Sequence, residues 1–212
     1  MSLSSQRRGF NCLELMVVLV VAGVLLAIGL PRFHRAQTHA RQSEAITNLK
    51  SLHASMSLQQ SKPYNIHVPG FDPPRGNRYS YSLEAPCSSA EDRSSLNAMQ
   101  NMSDRCIAVD TFAHPTFPWL FNVSELAAAS WDGDATSVGV STQAGIYGIC
   151  EYPFWDYLAY AAGDVDDDVM DTADTWAIAS ADGELMAMCP IGSPTLVPAG
   201  EPFMVVDDAD CN

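Results

Sequence analysis

The chain has 212 residues and a formal net charge of −14 at neutral pH. Its negative charge is concentrated, because positions 106–212 hold 18 Asp and Glu and no Lys or Arg. Such a surface repels phosphate backbones and argues against nucleic-acid binding by this half. With a long N-terminal helix set aside, roughly 150 residues remain, the size of one compact domain.

Arg7 and Arg8 precede an apolar run from Phe10 to Leu30 in which Glu14 is the only charged residue. At about 1.5 Å per residue, this helix is roughly 30 Å long and matches the hydrocarbon core of a bilayer. The run is longer than the apolar core of a signal peptide, and no A-x-A-type cleavage site follows it. A carboxylate one turn into such a run costs at least a few kcal/mol unless a partner meets it. Arg7 and Arg8 before the span are balanced by Arg32, Arg35 and Arg41 after it, so the cation count does not set the orientation.

Beyond Pro31 the apolar residues Phe33, Ala36, Ala40, Ala45, Leu49, Leu52 and Met56 recur at helical spacing. Arg35, Gln42, Lys50 and Gln59 occupy the opposite face. Pro31 removes a backbone donor and predicts a kink or local melting, and Pro63 predicts the helix end at Lys62. His34, His39 and His53 have no i, i+4 histidine partner and read as helix-surface or packing residues.

Residues 63–78 carry four prolines and two glycines and predict an extended connector. Tyr79, Tyr81 and Leu83 alternate with polar neighbours in 76–84, the pattern of a half-buried strand. Residues 88–105 read as a loop, and CIAVDTF at 106–112 as another strand. The aromatic stretches 114–121 and 152–157 suit either the core or an exposed contact loop. NVSE at 122–125 matches a glycosylation acceptor, a short motif that often arises by chance. Residues 156–164 and 174–180 predict strands. In the second, Trp176 and Ile178 share one face, and Thr175, Ala177 and Ala179 share the other. A turn at Ala181–Gly183 then predicts a returning strand over 184–189.

Cysteine usage points to an oxidising compartment. Cys87 with Cys106 and Cys189 with Cys211 would each close a local loop, which leaves Cys150 free and Cys12 in the apolar span. A Cys150–Cys189 link is the competing arrangement.

The run Asp164, Asp166, Asp167, Asp168, Asp171 and Asp174 offers hard oxygen ligands at alternating positions, and Asp164, Asp166 and Asp168 are the candidate calcium ligands. An EF-hand starting at Asp164 fits poorly, with Val169 where glycine is needed and Thr175 where a bidentate Glu should close the site. A generic calcium loop and a solvated acidic turn both remain open. No other cofactor is indicated. There is no G-x-S-x-G, H-E-x-x-H, P-loop or Gly-rich dinucleotide turn, so nothing points to an enzyme.

Gly9, Phe10, Glu14 and Pro31, at these spacings on an otherwise uncharged helix, resemble the type IV prepilin signature. RQSEAITNLKSL at 41–52 resembles the family's sequence beyond the membrane-spanning half. FDPPRGNRYSY at 71–81 is similar to a segment of myxobacterial major type IVa pilins, and YLAYAAGDVDDD with DTWAI to the final sheet region of bacterial pilins. Asn11 and Cys12 depart from the small hydroxylated and apolar residues usual in the signature.

The resemblance implies an α+β fold, a long kinked N-terminal helix packed on an antiparallel β-sheet head. It implies a leader over 1–9, a long helix over 10–62 with 10–30 in the membrane, and a head over 63–212. A prepilin peptidase would cut between Gly9 and Phe10 and methylate the Phe10 amine. Phe10, Glu14 and Pro31 would serve assembly, because the buried amine of one subunit needs the Glu14 carboxylate of a neighbour. The implied partners are identical subunits, the inner membrane before assembly and the pilus assembly machinery. The implied location is the inner membrane and then a retractable extracellular fibre for motility and adhesion. The alternatives are a minor pilin, a type II secretion pseudopilin, or a monomeric membrane-tethered binding module.

Overall fold

The computed structural model describes residues 12–131, 141–149, 155–167 and 172–211. Two compact units are distinguished, Met1–His39 and Ala40–Asn212. A single helix, α1 (Cys12–Ser57, 46 residues), forms the described part of the first unit and continues into the second.

In the first unit the apolar side chains of α1 stay exposed, Leu13 at 68% and Val20 at 67% among them. The helix satisfies its own backbone hydrogen bonds, so its backbone needs no tertiary partner even where its side chains are bare. Helical backbone continues through position 31, so of the two effects expected at Pro31 the local melting does not occur.

In the second unit the stripe Ala45, Leu49, Leu52 and Met56 is fully buried. The helix ends at Ser57, five residues before the expected Lys62. Ser57 Oγ donates to the His53 carbonyl (2.7 Å), Gln59 Nε2 to that of Ser55 (3.0 Å), and the Gln59 N–H to that of Met56 (3.0 Å). These bonds satisfy the last carbonyls, which is what a further turn would otherwise do. The connector that follows is extended but anchored, with Ile66, Val68 and Phe71 buried.

The strands are β1 (Tyr79–Ser82), β2 (Ala90–Glu91), β3 (Cys106–Ile107), β4 (Ala128–Trp131), β5 (Gly145–Gly148), β6 (Trp155–Gly163), β7 (Asp174–Ala179), β8 (Gly183–Met186), β9 (Thr195–Val197) and β10 (Phe203–Val206). Seven of them form one sheet in the order β10-β7-β6-β1-β3-β2. The seventh, β5, pairs with Trp155–Leu158 of β6, and β1 pairs with Tyr160–Gly163 of the same strand. Among the described strands every pairing is antiparallel except β2 with β3, so the expected antiparallel sheet has one parallel edge; an isolated bridge, Cys189 with Val206, is also parallel. A second, antiparallel sheet has the order β4-β8-β9.

The main sheet is buried on both faces. On one face Tyr79, Tyr81, Tyr157, Ala159, Ala161, Trp176 and Ile178 pack with the α1 stripe. On the other, Leu158, Tyr160, Ala177, Ala179, Val205 and Val206 pack with Leu126, Ala129, Leu185 and Val197 from the smaller sheet and its flanks. The expected division of β7 into two faces is what separates these two cores. Burial on both sides corrects the half-buried reading of 76–84: Ser80 is fully buried, and its Oγ donates to the Ala162 carbonyl at 3.0 Å. Gly163 lies where the ring of Tyr79 crosses β6, since a Cβ there would meet Tyr79 Cδ1 at 2.7 Å.

Three further expectations change. The strand over 106–112 shrinks to Cys106–Ile107, because Asp110 turns back to bind Arg75 and the Gly76 N–H. The loop 88–105 contains β2. The segment 184–189 does not return along β7; Gly183–Met186 joins β4 and β9, and β10 takes the place beside β7.

Candidate functional site

Three arrangements bear on function. The first is the exposed apolar part of α1, the one described helix long and apolar enough to cross a membrane. Glu14, in its first turn, is exposed and is the only charged residue between positions 12 and 31. Gly9 and Phe10 lie outside the described residues, as does the side chain of Pro31.

The second arrangement fastens the 40–57 part of α1 to the main sheet. Glu44 Oε1 accepts the Arg78 N–H at 3.0 Å and reaches the Tyr81 hydroxyl at 3.4 Å, and Asn48 donates to that hydroxyl at 2.6 Å. Asp174, at the start of β7, accepts from the Tyr79 hydroxyl (2.6 Å), Trp176 Nε1 (2.8 Å) and Gln42 Nε2 (3.2 Å). Burial pushes both carboxyls above the ordinary range, and these hydrogen bonds offset only part of that rise. His53 is held the same way, with Nδ1 2.6 Å from the Tyr157 hydroxyl, and burial lowers its pKa. Beneath it, Gly200 has φ +73, and a Cβ there would meet His53 at 2.3 Å. The sequence reads Asp174 both as the last member of the acidic run and as the first residue of the strand 174–180, and assigns no role to Glu44; a polar residue beside the apolar stripe is the available signal.

The third arrangement is the acidic corner after β6. Asp164, Asp166 and Asp208 each offer a carboxylate oxygen, all within 4.8 Å of one another. Two of the three expected calcium ligands therefore sit together, Asp168 lies outside the described residues, and Asp208 joins from the far end of the chain. The acidic run at 207–210 was the visible signal for it. Asp164 Oδ1 accepts the N–H groups of Asp166 (3.0 Å) and Asp167 (2.6 Å), which folds the corner tightly. Asp167 has φ 70 and pairs with Arg41 at 2.8 Å and Arg78 at 2.6 Å. Burial would raise its pKa, but the hydrogen bonds and charges of Arg78 and Arg41 outweigh that and lower it. Two guanidinium groups thus supply part of the positive charge that this carboxylate-rich turn needs.

Disulfides join Cys87 to Cys106 and Cys189 to Cys211, with Cα–Cα distances of 6.3 and 5.9 Å. Cys12 is free and exposed, and Cys150 lies outside the described residues. Of the aromatic stretches, Phe117, Trp155 and Tyr157 are buried, whereas Trp119 is 46% exposed. Phe117 stacks on His114 at 5.1 Å and lies under the Arg78 guanidinium at 4.7 Å.

A long helix, half of it bare and half fastened to a two-core β head, is the architecture that the opening signature implies. Comparison with known proteins agrees. The family described as "Type IV pilin PilA" matches residues 36–172. The chain is also 30% identical over 220 residues to the type IV major pilin protein PilA of Myxococcus xanthus (strain DK1622), covering 98% of this chain and 94% of that protein. The chain belongs to the type IV pilin PilA family. Type IV pilins are structural subunits rather than enzymes, which sets the function of this chain at the level of a pilus subunit. The family match begins at residue 36 and so is independent of the Gly9–Pro31 signature.

Proposed function

We propose that this pilin is the major subunit of a type IV pilus, a retractable surface fibre for motility and adhesion. A prepilin peptidase removes residues 1–9 after Gly9 and methylates the Phe10 amine. The subunit waits in the inner membrane, held by residues 10–30, with the head over 63–212 outside. The assembly machinery then moves it into the fibre, where the apolar helices of neighbouring subunits replace lipid. The observation that carries this reading is the contrast within α1: one half is covered by its own head, and the other exposes a continuous apolar surface. A bare apolar helix needs either lipid or other helices. In a filament core the new amine of Phe10 would be buried, and the Glu14 carboxylate of an adjacent subunit is the counter-charge it needs.

The intact mass of protein from sheared fibres, compared with protein from membranes, tests the proposal. Fibre protein starting at Phe10 and heavier by one methyl group supports it. Full-length protein confined to membranes would overturn it in favour of a tethered binding module. A minor pilin or pseudopilin role would show instead as processed protein scarce in fibres; the relative named a major pilin favours the major role.

For the acidic corner the proposal is a calcium-supported turn at Asp164, Asp166 and Asp208, favoured by the convergence of three carboxylates from segments some forty residues apart. Calorimetry at millimolar calcium tests it: a heat of binding supports it, and none refutes it.

A further inference from the structure

Most cations after the apolar span are already occupied. Arg41 and Arg78 hold Asp167 at 2.8 and 2.6 Å, Lys50 holds Glu201 at 3.1 Å, and Lys62 donates to the Gly148 carbonyl at 3.0 Å. Arg32 and Arg35 are exposed and hold no acceptor among the described residues.

Their distance from the span sets these two apart. Leu30 ends the apolar run, and Arg32 and Arg35 follow it by two and five residues on the same continuous helix. At about 1.5 Å per residue they lie roughly 3 and 8 Å beyond the hydrocarbon edge. The headgroup layer on each side of a bilayer is about 5–8 Å deep, so both guanidinium groups come level with the lipid phosphates. The two positions are three residues apart and so are neighbours on one side of α1, where two planar donors can grip one phosphate. Phe33, between them in sequence, is 64% exposed, and an aromatic ring suits the boundary between headgroups and acyl chains.

The placement also runs against the usual bias. With the head outside, Arg32 and Arg35 stand on the face of the membrane where Lys and Arg beside a span are normally scarce. An anion bound at that face gives them the counter-charge that the chain itself does not.

We propose that Arg32 and Arg35 clamp the phosphate of an anionic phospholipid on the head side of the membrane, with Phe33 set at the acyl boundary. The clamp fixes the depth of the helix in the bilayer and lets go when the subunit moves into the fibre. This inference rests on the membrane-held stage of the pilus-subunit reading and adds a lipid partner to it.

Native mass spectrometry of the full-length chain, in micelles holding equal phosphatidylglycerol and phosphatidylcholine, tests it. Arg7→Gln and Arg8→Gln are made throughout, to remove the cations at the other end of the span. This chain should retain phosphatidylglycerol severalfold over phosphatidylcholine. Adding R32Q/R35Q should abolish the preference, R32K/R35K should keep most of it, and R41Q, at a cation that already has its partner, should leave it unchanged. Equal retention of the two lipids, or a preference that survives R32Q/R35Q, would overturn the inference. In the second case, a lower yield of sheared fibres from R32Q/R35Q with Arg7 and Arg8 in place would assign the two cations to the acidic heads of neighbouring subunits. Release of the unaltered chain from membranes by alkaline carbonate would instead overturn the membrane-held stage on which the inference rests.

Discussion

The two halves of α1 are one continuous helix with opposite fates. Between positions 12 and 39 its Leu and Val side chains are exposed, whereas between 40 and 57 Ala45, Leu49, Leu52 and Met56 are fully buried. Helix propensity does not separate them, since both halves are rich in good helix formers. What differs is distribution. The first half is apolar all round, and the second confines its apolar residues to one stripe with Gln42, Glu44 and Asn48 beside it. A stripe can be satisfied by one sheet face, while a helix apolar on every side needs surroundings on every side. The comparison teaches that burial in a subunit of this kind is divided between the fold and whatever the subunit later joins.

The largest effects should come from exchanging the roles of the halves. Leu49→Ala removes a fully buried side chain from the core that also holds Tyr79, Tyr81 and Ile178 and should destabilise the head by about 2–5 kcal/mol in denaturant unfolding. Val20→Ala, the matching change in the bare half, should leave the head's melting unchanged. Equal losses at the two positions would mean that the bare half is covered in the isolated subunit and would break the comparison.

The Glu44 carboxylate should matter less than the stripe but still measurably. Glu44→Ala leaves the Arg78 N–H and the Tyr81 hydroxyl without their acceptor and should cost about 1–3 kcal/mol. Glu44→Gln keeps an acceptor and removes the partly buried charge, so it should cost less than Glu44→Ala. If both variants melted like the unaltered chain, the polar network would be incidental to helix docking.

Much of this was legible in the residues. The apolar run, the apolar stripe and the alternation of Trp176 with Ala177 are local patterns, and each predicted its element. The disulfide partners were readable because each pair brackets a short loop. Pairings between distant segments were not readable. Nothing near 184–189 says whether that strand returns along β7 or joins β4 and β9, because its alternation of buried and exposed residues suits either sheet. Asp208 was missed in the acidic corner for the same reason, since only the packing of β10 beside β7 brings it to Asp164. The half-buried reading of 76–84 failed because Ser80 and Ser82 look like solvent-facing residues, yet the fold buries them.

The pH dependence should combine contributions of opposite sign. Burial would raise Asp110, but the hydrogen bond from Arg75 and those from the Gly76 and Ala113 N–H groups lower it to about 2. Asp104 and Asp167 are also lowered in the fold. A lowered carboxyl stabilises the fold above its unfolded pKa of about 4, and that contribution is lost as pH falls through the folded value. Glu44 and Asp174 are raised, so their contribution is complete below about pH 4 and is lost as pH rises through their folded values. The head should therefore lose stability steeply between about pH 4 and pH 2; above pH 4 the loss from Glu44 and Asp174 is opposed by His53, whose lowered pKa favours the fold as pH rises. Asp110→Asn should flatten part of the acid loss and Glu44→Gln should remove its share of the loss above pH 4; unchanged profiles would assign these losses to other groups.

The smallest effect should come from the ion pair between α1 and the rest of the head. Lys50 Nζ lies 3.1 Å from Glu201, but both side chains are about half exposed, at 49% and 56%. Water screens such a pair, and holding two long side chains in register offsets much of the remaining attraction. Lys50→Met, which keeps the aliphatic stem, should change stability by no more than about 0.5 kcal/mol, and added salt should reduce even that. The value of the measurement lies in its contrast with Leu49, one residue away. If Lys50→Met cost as much as Leu49→Ala, charge pairing rather than the apolar stripe would be what fastens this half of the helix, and the bare half would differ for lack of a charged partner rather than for lack of a sheet.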